Sequence, residues 1–271
     1  MSLTTPQFEF FRDFIKARSS IVIEPGKEYM VESRLTPLLK TEKLASLDEM
    51  MSKLKFDKLL DQKIVDAMTT NETYFFRDIH PFDALKTKII PELIAKRQSE
   101  KKLTIWCAAC SSGQEPYSIA MIIREYFPQL KDWQVKIIAT DLSMDILNKA
   151  REAQYNQLEV NRGLSALLLV KYFTKVGMHW KLKEDLVKMI DFRVLNLNST
   201  FYPIPSPDIV FLRNVLIYFD VPTKKNIFEN VKKILRPDGY LFIGASETTL
   251  NVYDGFERVV VDKATCFQPK K

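Results

Sequence analysis

Trp106 to Tyr117, reading WCAACSSGQEPY, is a strand end, a turn of small residues and a helix start in succession. Leu103 to Ala108 before the turn is a short apolar run with strand character. Glu115 to Phe127 after it has Pro116 in its first turn and continues at helical spacing. The same unit recurs downstream. Val135 to Thr140 reads as the next strand, with Ser143 placed to cap the helix that follows, and Asp191 to Leu197 and Asp208 to Leu212 as two more. Pro222 to Leu235 is an amphipathic helix closed by the turn Arg236-Pro237-Asp238-Gly239, and Tyr240 to Gly244 and Val259 to Phe267 complete a sheet. Strands alternating with helices predict a mainly parallel sheet covered on both faces, a Rossmann-like α/β domain.

Two regions stand outside this alternation. The first 68 residues read as helices only, a small all-α domain over 1–68 ahead of a sheet domain over 69–271. Thr5 before Pro6 is placed to cap a helix carrying Phe8, Phe11, Phe14 and Ile15. Ser46 with Glu49 is a capping-box pattern, and Phe56, Leu59, Leu60, Ile64 and Ala67 mark a further helix. Between Tyr172 and Met189, short alternating runs predict a small antiparallel β insertion at about 172–189, with Lys181 to Asp185 filling its turn.

Composition narrows the function classes. A chain of 271 residues with 46% hydrophobic and 27% charged residues is an ordinary packed protein, and seven glycines argue against a low-complexity one. There is no basic, apolar and small-residue leader and no run of about 18 apolar residues, so the expected location is the cytoplasm, with no membrane insertion. Three cysteines cannot all pair, which fits a reducing compartment. The net charge of +6 is spread along amphipathic segments without a dense basic block, so a partner with an acidic surface is expected and nucleic acid is not. Cys107 and Cys110 have C-x-x-C spacing, but His80, His179 and Cys266 lie at no ligand spacing from them, so no metal site is expected.

In a doubly wound sheet the ligand sits outside the carboxyl ends of the strands. The turn Ala109 to Gly113 lets a ligand approach the backbone, yet it lacks the three glycines of a pyrophosphate-binding loop and is followed by an acid, Glu115. A cation suits Glu115 better than a pyrophosphate does, although a first-turn acid also favours the helix dipole. Asp141, at the end of the second strand, is placed to accept ribose hydroxyls or to cap a helix. Asn196 offers an amide to an adenine edge and Leu197 an apolar surface to its face, with turn chemistry as the other reading. Arg213, Asn214 and Tyr218 fall near the mouth of the sheet.

Thr70 to Asp78, TNETYFFRD, together with the small-residue turn and its glutamate, Thr140-Asp141, and Arg213 to Phe219, RNVLIYF, resembles the chemotaxis receptor methyltransferases, the CheR family. The resemblance spans nearly the whole chain. It implies an S-adenosylmethionine-dependent methyltransferase, releasing S-adenosylhomocysteine and acting on glutamate side chains in the cytoplasmic domain of membrane chemoreceptors, where the protein would be recruited to receptor arrays. By resemblance, Asn71, Thr73, Arg77, Glu115, Asp141, Asn196, Leu197, Arg213 and Asn214 contact the cofactor, and Arg77 and Tyr218 face the accepting carboxylate. Lys27, Arg34 and Lys40 of the second helix would form a basic docking face for the receptor, which Pro37 interrupts. Some family members also grip a receptor carboxyl-terminal pentapeptide on the β insertion. The compact insertion here predicts no such tether. Two other classes remain in view: a methyltransferase acting on RNA or a small molecule, and a cofactor-binding docking module without turnover.

Overall fold

The computed structural model describes residues 3–200 and 202–271. Four helices come first: α1 (Thr5–Ser19), α2 (Glu28–Thr41), α3 (Leu47–Lys53) and α4 (Lys58–Met68). The cap of α1 is Thr4, one residue before the expected Thr5, because its hydroxyl and the Gln7 side chain satisfy each other's backbone N–H groups. Phe8, Phe11 and Ile15 turn inward and meet Val31 and Leu35 of α2 and Leu60, Ile64 and Met68 of α4 in a separate apolar core. The face of α4 differs from expectation. Asp57 caps it through the N–H groups of Leu59 and Leu60, which leaves Phe56 outside the helix and 91% exposed, and turns Leu59 to solvent.

Residues 69–79 cross to the sheet domain without regular structure. A continuous helical stretch follows: α5 (His80–Ala84), a π-helical turn at Leu85–Ile89, and α6 (Ile90–Lys96). Pro91 has no N–H for the carbonyl four residues back, and the ladder slips by one residue just ahead of it.

Next come β1 (Lys102–Ala108), α7 (Gln114–Tyr126), β2 (Gln134–Asp141) and α8 (Met144–Glu152), the last capped by the Ser143 hydroxyl. The insertion is β3 (Gln154–Asn156), α9 (Gln157–Asn161), α10 (Ala166–Tyr172), β4 (Phe173–Val176), β5 (His179–Leu182) and α11 (Glu184–Val187). The chain then returns through β6 (Ile190–Val194), β7 (Ile209–Leu212), α12 (Val221–Ile234) and β8 (Tyr240–Ile243), and ends in β9 (Phe256–Val261) and β10 (Ala264–Pro269).

The large sheet has the order β6-β2-β1-β7-β8-β10-β9, parallel through β8 and antiparallel at the last two. Where one strand was expected over Val259 to Phe267 there is a hairpin, turning where Asp262 takes a left-handed φ of 52°. The insertion also differs. It is a three-stranded sheet, β3-β5-β4, whose first strand lies well upstream of Tyr172. Its hairpin turns at Gly177-Met178, while Lys181 and Leu182 belong to β5 and Glu184-Asp185 open α11. Three residues of β3 are too few for alternation to be read from sequence.

Strand order reverses at β1, which has β2 on one side and β7 on the other. Connections leaving the carboxyl ends of β1 and β7 therefore diverge to opposite faces and leave a crevice between them. The helical domain closes one side of it. Leu142, just past β2, packs into the helical core, Asn196 donates to the Arg18 carbonyl at 2.8 Å, and the Val22 N–H donates to the Tyr218 carbonyl at 2.9 Å.

Candidate active site

The crevice is lined by Asn71, Thr73, Arg77, Glu115, Asp141, Asn196, Leu197, Arg213, Asn214 and Tyr218, so the structure brings together all ten residues singled out for cofactor and chemistry. It adds others that carried no sequence signal, among them Ser19 and Ile21 from the end of the helical domain's first helix and the chain after it.

The turn after β1 is held tightly. Ala109 and Ser111 take left-handed φ of 55° and 51°, and Gly113, at φ 91°, is the residue before α7. A Cβ on Gly113 would meet the Tyr117 ring at 3.0 Å, which together with that φ makes glycine necessary. Asp141 braces the turn. One carboxylate oxygen accepts from Ser111 N–H at 2.9 Å and the other from Ser143 N–H at 3.0 Å, which does not exhaust the acceptor capacity of the carboxylate. Buried Tyr155 of the insertion donates to the Ser112 carbonyl at 2.7 Å, so the small sheet also supports this turn.

TNETYFFRD is a bent segment, not a helix, and Phe76 and Asp78 take left-handed φ of 52° and 57°. Strain of this kind persists only where surrounding packing dictates it. Phe75 is fully buried edge-on to Tyr155 and Phe173, the Phe76 N–H donates to Ser118 Oγ at 3.0 Å, and Gly163 lies so close to the Phe75 carbonyl that any Cβ would collide with it. Ser111 Oγ donates to the Asn71 carbonyl at 2.8 Å, joining the segment to the turn. Arg77 lies over the Tyr74 ring, and its Nη1 donates to the Glu72 carbonyl at 2.8 Å.

Arg213 is the electrostatic hub. Its side chain is 2% exposed and donates to Glu115 Oε2 at 2.8 Å, Asp78 Oδ2 at 2.9 Å and the Arg77 carbonyl at 2.8 Å, while its Nε finds no partner among the described residues. Glu115 is therefore not a lone acid awaiting a cation but one end of a buried pair. Asn214, at φ 57°, is fixed by Glu247, whose carboxylate accepts from the N–H groups of Asn214, Leu216 and Gly244. Neither the Arg213 pairing nor the Glu247 cap has a local sequence signal. The Asn196 amide is engaged at both ends, donating to Arg18 and accepting from Asn198 N–H at 2.9 Å.

Burial pushes the Glu115 carboxyl above the ordinary carboxylate range, against the pull of Arg213. Only the ionised form attracts an ammonium group. Affinity for an amino-acid-bearing cofactor should therefore be full at pH values above this raised pKa and fall as pH drops through it. Calorimetry with S-adenosylhomocysteine from pH 8 to 5 checks this, and in Glu115→Gln the acid-side loss should disappear along with much of the affinity.

Two comparisons bear on this geometry. Residues 71–265 match the CheR methyltransferase, SAM binding domain, and residues 6–69 match the CheR methyltransferase, all-alpha domain. The chain belongs to the CheR methyltransferase family. It is 41% identical to chemotaxis protein methyltransferase 1 of Pseudomonas aeruginosa and 40% identical to chemotaxis protein methyltransferase Cher2 of Pseudomonas putida, in both cases over the whole of each chain. The corresponding methyltransferase of Borreliella burgdorferi is 39% identical, covering 84% of this chain and 83% of its own.

As a CheR methyltransferase the protein uses S-adenosylmethionine, and the crevice suits that molecule. It has one acid at the end of β2, a second acid with a neighbouring arginine at the start of α7, and close-approaching backbone between them. An amino acid's ammonium and carboxylate match the Glu115–Arg213 pair, whereas a pyrophosphate would face two carboxylates. Cys107 and Cys110 are buried thiols whose pKa burial raises well above the usual thiol value, and no cluster able to hold a metal occurs among the described residues. No helix among them is long and apolar enough to cross a membrane.

The expected basic face of the second helix does not form as one surface. Lys27 is the residue before α2, and Arg34 donates to the Met68 and Thr69 carbonyls at 2.6 and 3.0 Å and to Thr70 Oγ1 at 2.8 Å. Its guanidinium thus closes the end of α4 and anchors the start of TNETYFFRD. Lys40 is exposed, but six residues at ~100° each place it about 120° around the helix from Arg34.

Proposed function

We propose that this protein transfers the methyl group of S-adenosylmethionine to glutamate carboxylates in the cytoplasmic domain of membrane chemoreceptors. The observation that carries the reading is that Arg77 and Tyr218 both line a crevice whose described lining contains no histidine or lysine. A glutamate is already ionised near neutral pH, so it needs donors that orient it more than it needs a base. Arg77 supplies charge-assisted hydrogen bonds, and the Tyr218 hydroxyl, which has no partner among the described residues, supplies one more. The chemotaxis names of the relatives agree with a receptor substrate.

The cofactor brings a methyl group on a cationic sulfur. The chain's own residues do the positioning. Asp141 receives the ribose hydroxyls, the Asn196–Leu197 turn borders the adenine, and Glu115 with Arg213 holds the amino-acid end. Asn71 and Thr73 close over it from the bent segment. Arg77 and Tyr218 then hold a carboxylate oxygen in line behind the methyl, in a site drier than water, which is catalysis by proximity and desolvation. Labelled methyl transfer to receptor-containing membranes, compared with RNA and soluble metabolites, tests the reading. Label should enter receptor protein as an alkali-labile ester; label in RNA, or cofactor binding with no transfer to any acceptor, would refute it.

Docking is assigned to the helical domain, with Lys27 and Lys40 the two of the three expected docking cations that are exposed, and recruitment to receptor arrays follows from the substrate's location. The insertion is assigned no tether. Its hairpin turn is two residues long, and Lys175 of β4 lies over Trp180 of β5. Little loop backbone remains beside that edge for a peptide strand to be clamped by. Titrating the isolated receptor carboxyl-terminal pentapeptide should give no saturable binding in the micromolar range; saturation there would show that the insertion is a tether after all.

A further inference from the structure

Beyond Arg213 a second cleft, of about 1000 Å³, opens past the carboxyl end of β8, walled by residues 244–254 and by the β9–β10 hairpin. Arg213 lines this cleft and the cofactor crevice alike, and Glu247, which lines only the second, holds the backbone of Asn214, which lines only the first. One layer of side chains therefore separates them. Asp141 ends β2 while this cleft opens past β8, so the two lie on opposite flanks of Arg213, which follows β7.

Its charges are not balanced internally. The acids lining it are engaged: Asp78 with Arg213, Glu247 with four backbone N–H groups, and Asp254 with Lys270. Arg213 is engaged as well, but three further cations are not. Lys225 and Lys263 have no acidic partner among the described residues, and the Arg258 guanidinium meets only Thr265 Oγ1 at 3.1 Å. Leu250, 73% exposed, adds an apolar side chain at the same cleft.

We propose that this cleft seats an acidic, amphipathic receptor segment beside the methyl-accepting glutamate, its carboxylates meeting Lys225, Arg258 and Lys263 and its apolar side meeting Leu250. The inference rests on the receptor-glutamate reading above. It gives the enzyme a substrate contact on the sheet domain in addition to the helical one, and it makes specificity a matter of charge around the accepting residue. Free cations beside satisfied acids mainly raise encounter rate and select partners, so the effect should fall on KM and not on turnover.

The test uses the full-length protein with Lys225→Glu, Arg258→Glu and Lys263→Glu combined, and Leu250→Asp separately. On receptor-containing membranes the triple variant should show a KM for receptor raised by about tenfold and a salt dependence weakened or inverted. Its rate at saturating receptor and its affinity for S-adenosylhomocysteine should stay unchanged, the latter also reporting an intact fold. Leu250→Asp should raise KM as well. Unchanged KM in both variants overturns the cleft assignment while leaving the functional reading in place. Unchanged receptor KM with lost affinity for a single-stranded RNA probe reassigns the cleft to nucleic acid and overturns it too. Failure of the unmodified protein to methylate receptors at all overturns the functional reading itself, and this inference with it.

Discussion

Arg77→Ala should lower methyl transfer to receptors by at least about a hundredfold, the scale on which losing a positioning contact to the reacting group acts. The guanidinium is held at the crevice by the Glu72 carbonyl and the Tyr74 ring, so its charge arrives at the carboxylate already ordered. Its removal takes away the one cation lining the crevice, among the described residues, that is not already paired with an acid, since Arg213 pairs with Glu115 and Asp78. The fold should survive, because Phe75 and the Phe76 N–H, not Arg77, anchor the segment. Arg77→Lys should restore only part of the rate, because an ammonium lacks the planar fork that orients a carboxylate. Initial rates of labelled methyl transfer, with urea denaturation as a fold check, decide the matter. Full turnover in Arg77→Ala would remove Arg77 from the chemistry.

Arg213→Ala should instead cost stability first, by on the order of 3 kcal/mol, because it strands Glu115 as a buried carboxylate without a cation. The sequence reading made Arg213 and Glu115 separate cofactor contacts; the structure couples them. A double change, Arg213→Ala with Glu115→Gln, should therefore recover part of the loss, because no unpaired charge is left buried. Urea denaturation of both singles and the double closes the cycle. Both single variants should also bind S-adenosylhomocysteine weakly, so stability, not affinity, is the distinguishing measurement. If the double is as unstable as the sum of the singles, the pair contributes nothing as a pair.

The features legible in the sequence are those written in short windows. Strand–turn–helix periodicity around WCAACSSGQEPY places the sheet, the Ser143 cap places α8, and the acid after β2 and the RNVLIYF segment fall at strand ends where a doubly wound sheet must open. Such patterns are local because a strand shows its period over four to eight residues and a cap over four. The β9–β10 hairpin was read as one strand because its turn carries no glycine or asparagine, only Asp262 bent into a left-handed conformation. The three-residue β3 was missed for want of length.

What the tertiary structure alone decided is which side chain meets which. Arg34 looked like one of three docking cations and turns instead to carbonyls 34 and 35 residues away. Arg213 finds Glu115 across 98 residues, and Ser19 and Ile21 reach the crevice only because the helical domain packs its end against it. The residue types that could serve the chemistry were thus visible from the chain alone, since charge, size and turn-forming capacity belong to single residues. Their partners were not, because a long arginine or a buried glutamate is satisfied by whatever the fold brings within about 3 Å, and that choice is made by packing across the whole molecule.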